Sequence, residues 1–177
     1  MNSTLQLINN EYQDLRQNPI AALGVSVGMP FPDNPYIWQC SMLGPSDTSF
    51  RNGLFYLRII FPKNYPNSAP EVYFVTPIYH VNVNHIKQPT CRLGHICLST
   101  LNFWNPQYRI REVLTNIFAL FYMGNPESPY GTNRQAEMMN NPQLFEKKIQ
   151  YFTQKYADPK LGYKEYDYWD FTYPNNA

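Results

Sequence analysis

Cys40, Cys91 and Cys97 are the candidate nucleophiles of this 177-residue chain. A free thiol with a pKa of about 8.5 is only about a few per cent ionised at neutral pH, yet that fraction is strongly nucleophilic. Such a group exchanges with an activated thioester without a dedicated base. Cys40 lies in the apolar stretch Ile37 to Leu43, where a buried, inert thiol is expected. Cys91 and Cys97 lie in a long stretch without regular periodicity, and Ile96 and Leu98 on either side of Cys97 can anchor its backbone while the sulfur faces a groove. His85, Cys91, His95 and Cys97 also permit a second chemistry, a tetrahedral zinc set. Their spacing departs from paired-ligand hairpins, and metal binding would silence the thiolate, so the two readings of Cys97 compete. The chain has no Gly-rich phosphate loop, no serine nucleophile elbow and no paired-carboxylate motif.

Positioning such a thiol is the task of the surrounding elements. Leu5, Ile8, Tyr12 and Leu15 recur at helical spacing, with Asn2, Ser3 or Thr4 available as cap and Pro19 as stop. Gly24 to Pro35 reads as a short strand with turns. Three strands are expected next, over Ile37–Leu43, Leu54–Phe61 and Glu71–Thr76, each closed by a proline or Gly-Pro signal. Short turns between them make an antiparallel meander the economical topology. The irregular stretch from Tyr79 to Tyr108 is long enough to be read as a working loop. Helices are expected over Ile110–Tyr122, Asn133–Asn140 and from Pro142 through Tyr156. The expected class is α+β: one helix, a meander, a loop, then helices. From Lys160 onward the composition turns to Tyr, Trp, Phe, Asp and Asn, either an aromatic tail docked on the last helix or a partner-binding extension.

The composition excludes several classes. Hydrophobic residues make up 44% of the chain, sufficient for one packed core. A net charge of +1 provides no basic field for nucleic acid, and no apolar run approaches the roughly 20 residues that span a bilayer. Met1 to Gln13 carries no basic residue and no long apolar stretch, so no secretory signal is expected. Three cysteines do not make a disulfide framework, which points to a reducing compartment, cytoplasmic or nuclear.

Taken together, an ordered set of motifs resembles the ubiquitin-conjugating enzymes. It comprises Trp38, Gly44-Pro45-Ser46-Asp47-Thr48, Gly53-Leu54-Phe55, Phe61-Pro62-Lys63-Asn64-Tyr65-Pro66, Ala69-Pro70, Phe74-Val75-Thr76 and Tyr79-His80-Val81-Asn82-Val83-Asn84. It continues with Gly94-His95-Ile96-Cys97-Leu98, Trp104-Asn105-Pro106, Val113-Leu114 and Asn125-Pro126-Glu127-Ser128-Pro129. The resemblance implies a core domain over 5–158, with an amino-terminal helix, a four-stranded antiparallel meander, an active-site loop and carboxy-terminal helices. Residues 159–177 form the tail. It further implies that Cys97 accepts ubiquitin as a thioester from an activating enzyme and passes it to a substrate lysine or to a ligase. No cofactor or metal is implied, since ATP is used by the upstream activating enzyme.

The same resemblance suggests roles for other residues. Asn82 falls on the asparagine of a His-Pro-Asn motif, where its amide either donates to the transition-state oxyanion or braces the loop. His80 would be the structural histidine of that motif. Ser128 and Ser99 would position the acceptor lysine, although a loop-capping role for Ser128 is open. Glu112, Thr115, Asn116 and Ala119 would receive the modifier, and Asn67, Asn105, Pro106 and Gln107 would face the ligase. The chain departs from the pattern at Val81, which stands for the motif's proline, and by an insert at roughly Ile86 to Leu93 that can displace Asn82 from the sulfur. Asn67 stands where a large apolar anchor is common, and the first helix has Arg16 but no basic cluster. Two alternatives remain at this point: a catalytically silent scaffold that binds ubiquitin or a ligase, and an enzyme for a ubiquitin-like modifier.

Overall fold

Strict alternation in the second and third strands builds the core. In β2 (Ile37–Leu43) Trp38, Cys40 and Met42 are buried, and in β3 (Leu54–Ile60) so are Phe55, Leu57 and Ile59. Their antiparallel register pairs Trp38 with Ile59, Cys40 with Leu57 and Met42 with Phe55, which places all six on one face. β4 (Glu71–Phe74) adds Val72 opposite Ile59 and Phe74 opposite Leu57, and β1 (Val25–Gly28) closes the other edge against β2. The sheet is a four-stranded meander in the order β1-β2-β3-β4. The computed structural model describes residues 3–20 and 23–174.

Helix α1 (Ser3–Gln17) ends just before Asn18-Pro19, where a helical conformation becomes crowded. Of its three candidate caps, Asn2 lies outside the described residues, while the Thr4 hydroxyl donates to the Tyr65 carbonyl at 2.8 Å. α1 also buries Glu11, which periodicity assigns no place in the core. Glu11 accepts from the Tyr65 hydroxyl at 2.7 Å and from the backbone N–H of Ile110 at 2.8 Å, satisfying one orphan donor at the start of the central helix. Burial raises its carboxyl above the usual range.

The remaining helices are α2 (Ser99–Asn102), α3 (Ile110–Ala119), α4 (Thr132–Asn140) and α5 (Pro142–Tyr156), followed by one 3-10 turn (Pro159–Leu161). α2 is a helical turn that the irregular stretch did not announce. α3 stops earlier than Tyr122, because residues 120–122 bond to carbonyls three positions back. Strands β3 and β4 are likewise shorter than expected. After Phe74, the N–H groups of Val75 and Thr76 both turn to the Tyr56 carbonyl. Among the described residues, no helix is long and apolar enough to cross a membrane.

The aromatic tail is docked. Phe171 packs edge-on against Phe152 at 4.8 Å and Tyr79 at 5.4 Å, and Trp169 is buried. Phe171 and Tyr79 also both border the buried guanidinium of Arg134, at 4.6 and 4.3 Å, while its Nη1 donates to the His80 carbonyl at 3.0 Å. Burial lowers the Arg134 pKa to about 10, which leaves it charged at neutral pH.

Candidate active site

Cys97 is held by a short antiparallel ladder between residues 82–84 and 94–97. Its N–H donates to the Asn82 carbonyl at 2.8 Å, Asn84 N–H donates to His95 at 2.8 Å, and Gly94 N–H donates to Asn84 at 2.8 Å. Val83 and Ile96 face each other inside the ladder and are fully buried. Alternation therefore sinks Ile96 and Leu98 and leaves Cys97 between them only partly covered. Cys40, by contrast, is entombed in β2, and burial pushes its thiol up to about 12.

The insert does not disturb this pairing. It folds as a hairpin of its own, with Gln88 paired to Cys91 across Pro89-Thr90. The Asn84 side-chain amide closes its neck by donating to the carbonyls of Ile86 and Arg92, both at 2.8 Å. Arg92 then lays the hairpin against β4, with an ion pair to Glu71 at 2.6 Å and its guanidinium 4.3 Å from the Tyr73 ring centre. The extra residues thus close on themselves beyond the ladder, and the backbone bond between Cys97 and Asn82 forms across their base.

Asn82 is fully buried and its side chain is saturated. Nδ2 donates to the carbonyls of Asn125 at 2.7 Å and Ser128 at 2.8 Å, and Oδ1 accepts from Asn125 N–H at 2.7 Å. Both amide hydrogens are engaged in pinning the 125–128 loop. The Asn82 N–H donates to His80 Nδ1 at 3.0 Å, so that nitrogen is the acceptor and the ring proton sits on Nε2. Nε2 donates to the Leu120 carbonyl at 2.8 Å, an orphan acceptor just past the end of α3. Burial lowers the His80 pKa to about 4, so the ring is neutral at physiological pH.

Around the sulfur the structure brings in Asn102, whose Nδ2 lies 3.6 Å from Cys97 Sγ. Sequence reasoning missed this residue, since no motif marks it. The four side chains considered for zinc take other partners. His95 Nδ1 pairs with the Tyr130 hydroxyl, and Cys91 Sγ lies near Asn84 Nδ2. His85 packs on Phe171, and Cys97 takes Asn102. Among the described residues, no three His, Cys, Asp or Glu side chains converge as metal ligands.

Ser99 opens α2 and Ser128 lies on the loop pinned by Asn82, both exposed. Glu112, Thr115, Asn116 and Ala119 form one exposed face of α3, and Asn116 Nδ2 reaches Thr100 Oγ1 on α2 at 2.6 Å. On another flank, Trp104 Nε1 donates to the Pro66 carbonyl at 2.7 Å and joins the loops carrying Asn67, Asn105, Pro106 and Gln107. All four are exposed, and beside them Phe103 projects with 80% of its surface in solvent.

A partly covered thiol, bonded through its backbone N–H to a buried asparagine that pins the 125–128 loop, has the exposure that reaction with a large acyl donor requires. The comparisons agree. A sequence model of the family described as ubiquitin-conjugating enzyme matches residues 7–153. Ubiquitin-conjugating enzyme E2 N of Drosophila melanogaster is 36% identical over 160 residues, covering 89% of this chain and 98% of the relative. The chain belongs to the ubiquitin-conjugating enzymes, transferases that work through a thioester intermediate.

Proposed function

We propose that Cys97 is the residue that takes ubiquitin as a thioester from the activating enzyme and releases it to a lysine or to a ligase. The observation that carries this reading is the exposure pattern of the ladder, which buries Ile96 and Leu98 and leaves the intervening thiol accessible. The thioester already stores the free energy of transfer, so the protein contributes position and charge stabilisation. Asn82 serves as a brace: with its amide saturated, it fixes the loop that carries Ser128. His80 is a neutral pin between that brace and α3. Ser128 and Ser99 orient and desolvate the incoming amine. The exposed face of α3 receives the linked ubiquitin, and the loops joined by Trp104 face the ligase. The protein uses no cofactor of its own.

Incubation with activating enzyme, ATP and ubiquitin tests the assignment. A reducible adduct is expected that is lost in Cys97→Ser and retained in Cys91→Ser. An adduct that follows Cys91 instead would overturn it. Charging against a panel of ubiquitin-like modifiers decides which carrier is used.

A further inference from the structure

We propose that Asn102 is a catalytic residue of the transfer step, its side-chain amide donating to Cys97 Sγ and meeting the charge that gathers on sulfur as ubiquitin departs. This rests on Cys97 being the acceptor of ubiquitin. The Asn102 Nδ2 stands 3.6 Å from the sulfur, whereas both amide hydrogens of Asn82 are committed to the carbonyls of Asn125 and Ser128. Asn102 is also held in place. Its backbone N–H donates to Leu98 at 2.9 Å, the following Phe103 N–H donates to Ser99 at 2.8 Å, and Asn116 clasps Thr100 of the same turn. The donor is therefore aimed at the sulfur before any charge develops there.

The chemistry makes the contribution directional. When a lysine attacks, its nitrogen forms a bond to the thioester carbonyl carbon and the amine's surplus proton passes to solvent. The C–S bond breaks, and its electron pair remains on Sγ as a thiolate. An N–H at that atom interacts more strongly with the emerging thiolate than with the uncharged thioester sulfur, which is the differential binding that accelerates a step. Loading runs the other way. There the sulfur begins as a thiolate and loses its charge, so the same donor gives no acceleration.

Asn102 is exposed at the end of α2, so its replacement leaves the core intact. In Asn102→Ala, single-turnover discharge of the ubiquitin thioester is expected to fall about tenfold, the scale of one hydrogen bond to a charged group. Loading is expected to be no slower than in the unaltered protein. Because the donor acts on the leaving group, the same fold-loss is expected with lysine and with hydroxylamine as acceptor. Asn102→Asp, of equal size but without the donor, is expected to lose at least as much. Unchanged discharge in either variant would overturn the proposal. So would a loss confined to lysine, which would mean acceptor positioning, or an equal loss in loading, which would mean a structural role. The underlying assignment is separable: a reducible adduct persisting in Cys97→Ser overturns both. An adduct lost in Cys97→Ser, with normal discharge in Asn102→Ala, overturns only the role of Asn102.

Discussion

The N–H of Cys97 meets the carbonyl of Asn82 at 2.8 Å, closing the whole 83–96 segment into a loop whose ends are neighbours. This one bond ties the proposed nucleophile to the residue that pins the 125–128 loop. Three side-chain bonds of Asn82 continue the connection to Asn125 and Ser128, and His80 extends it to the end of α3.

Asn82→Ala is therefore expected to loosen the 125–128 loop and the ladder together. It leaves the carbonyls of Asn125 and Ser128 and the N–H of Asn125 without their partner, which costs about 1–3 kcal/mol. Urea unfolding should show that loss, and loading and discharge should slow to similar degrees. A discharge defect alone, with stability preserved, would return Asn82 to the role of oxyanion donor.

Acid should weaken the fold through His80. Its folded pKa of about 4 lies below the ordinary histidine value, so the unfolded chain takes up the proton first as pH falls. Stability is then fully present above about pH 6.5 and drops progressively toward pH 4, by roughly 3 kcal/mol for this residue. His85, which burial also lowers to about 4, adds in the same direction. Glu11 titrates with the opposite sign, because its raised carboxyl takes up a proton earlier in the folded state. Urea midpoints across this range for the unaltered protein and for His80→Gln isolate the contribution. A variant with the same pH slope as the parent would remove His80 from the account.

Shortening the insert should spare the chemistry. Replacing residues 87–91 with an Asn-Gly turn leaves the neck at Asn84 and the 82/97 pairing in place. Loop closure depends weakly on length, so a stability change below about 1 kcal/mol is expected, with ubiquitin loading retained. Loss of loading in a folded variant would show that the hairpin takes part in charging.

Much of this molecule was legible in the order of its residues. Alternation over 37–43 and 54–60 announces half-buried strands, and helical spacing announces α1, α3 and α5, because these patterns report local geometry facing a common core. Cys97 between Ile96 and Leu98 already reads as an anchored thiol, and Cys40 as a buried one. The ordered motifs place the chain among the conjugating enzymes, and the comparisons bear that out.

The rest depends on bonds between distant residues, which no local period records. Glu11 looks like a polar gap in a helix until the start of α3 lies over it and supplies an N–H. Arg134 looks solvated until Tyr79 and Phe171 close over its guanidinium. Asn102 carries no motif and acquires a partner only when α2 turns back over the sulfur. Residue order determined which side chains are apolar, which are nucleophilic and where the chain must bend. Tertiary packing alone decided which amide faces the thiol and which is spent on the loop, because a hydrogen bond is short and directional and only the folded chain brings its two ends within reach.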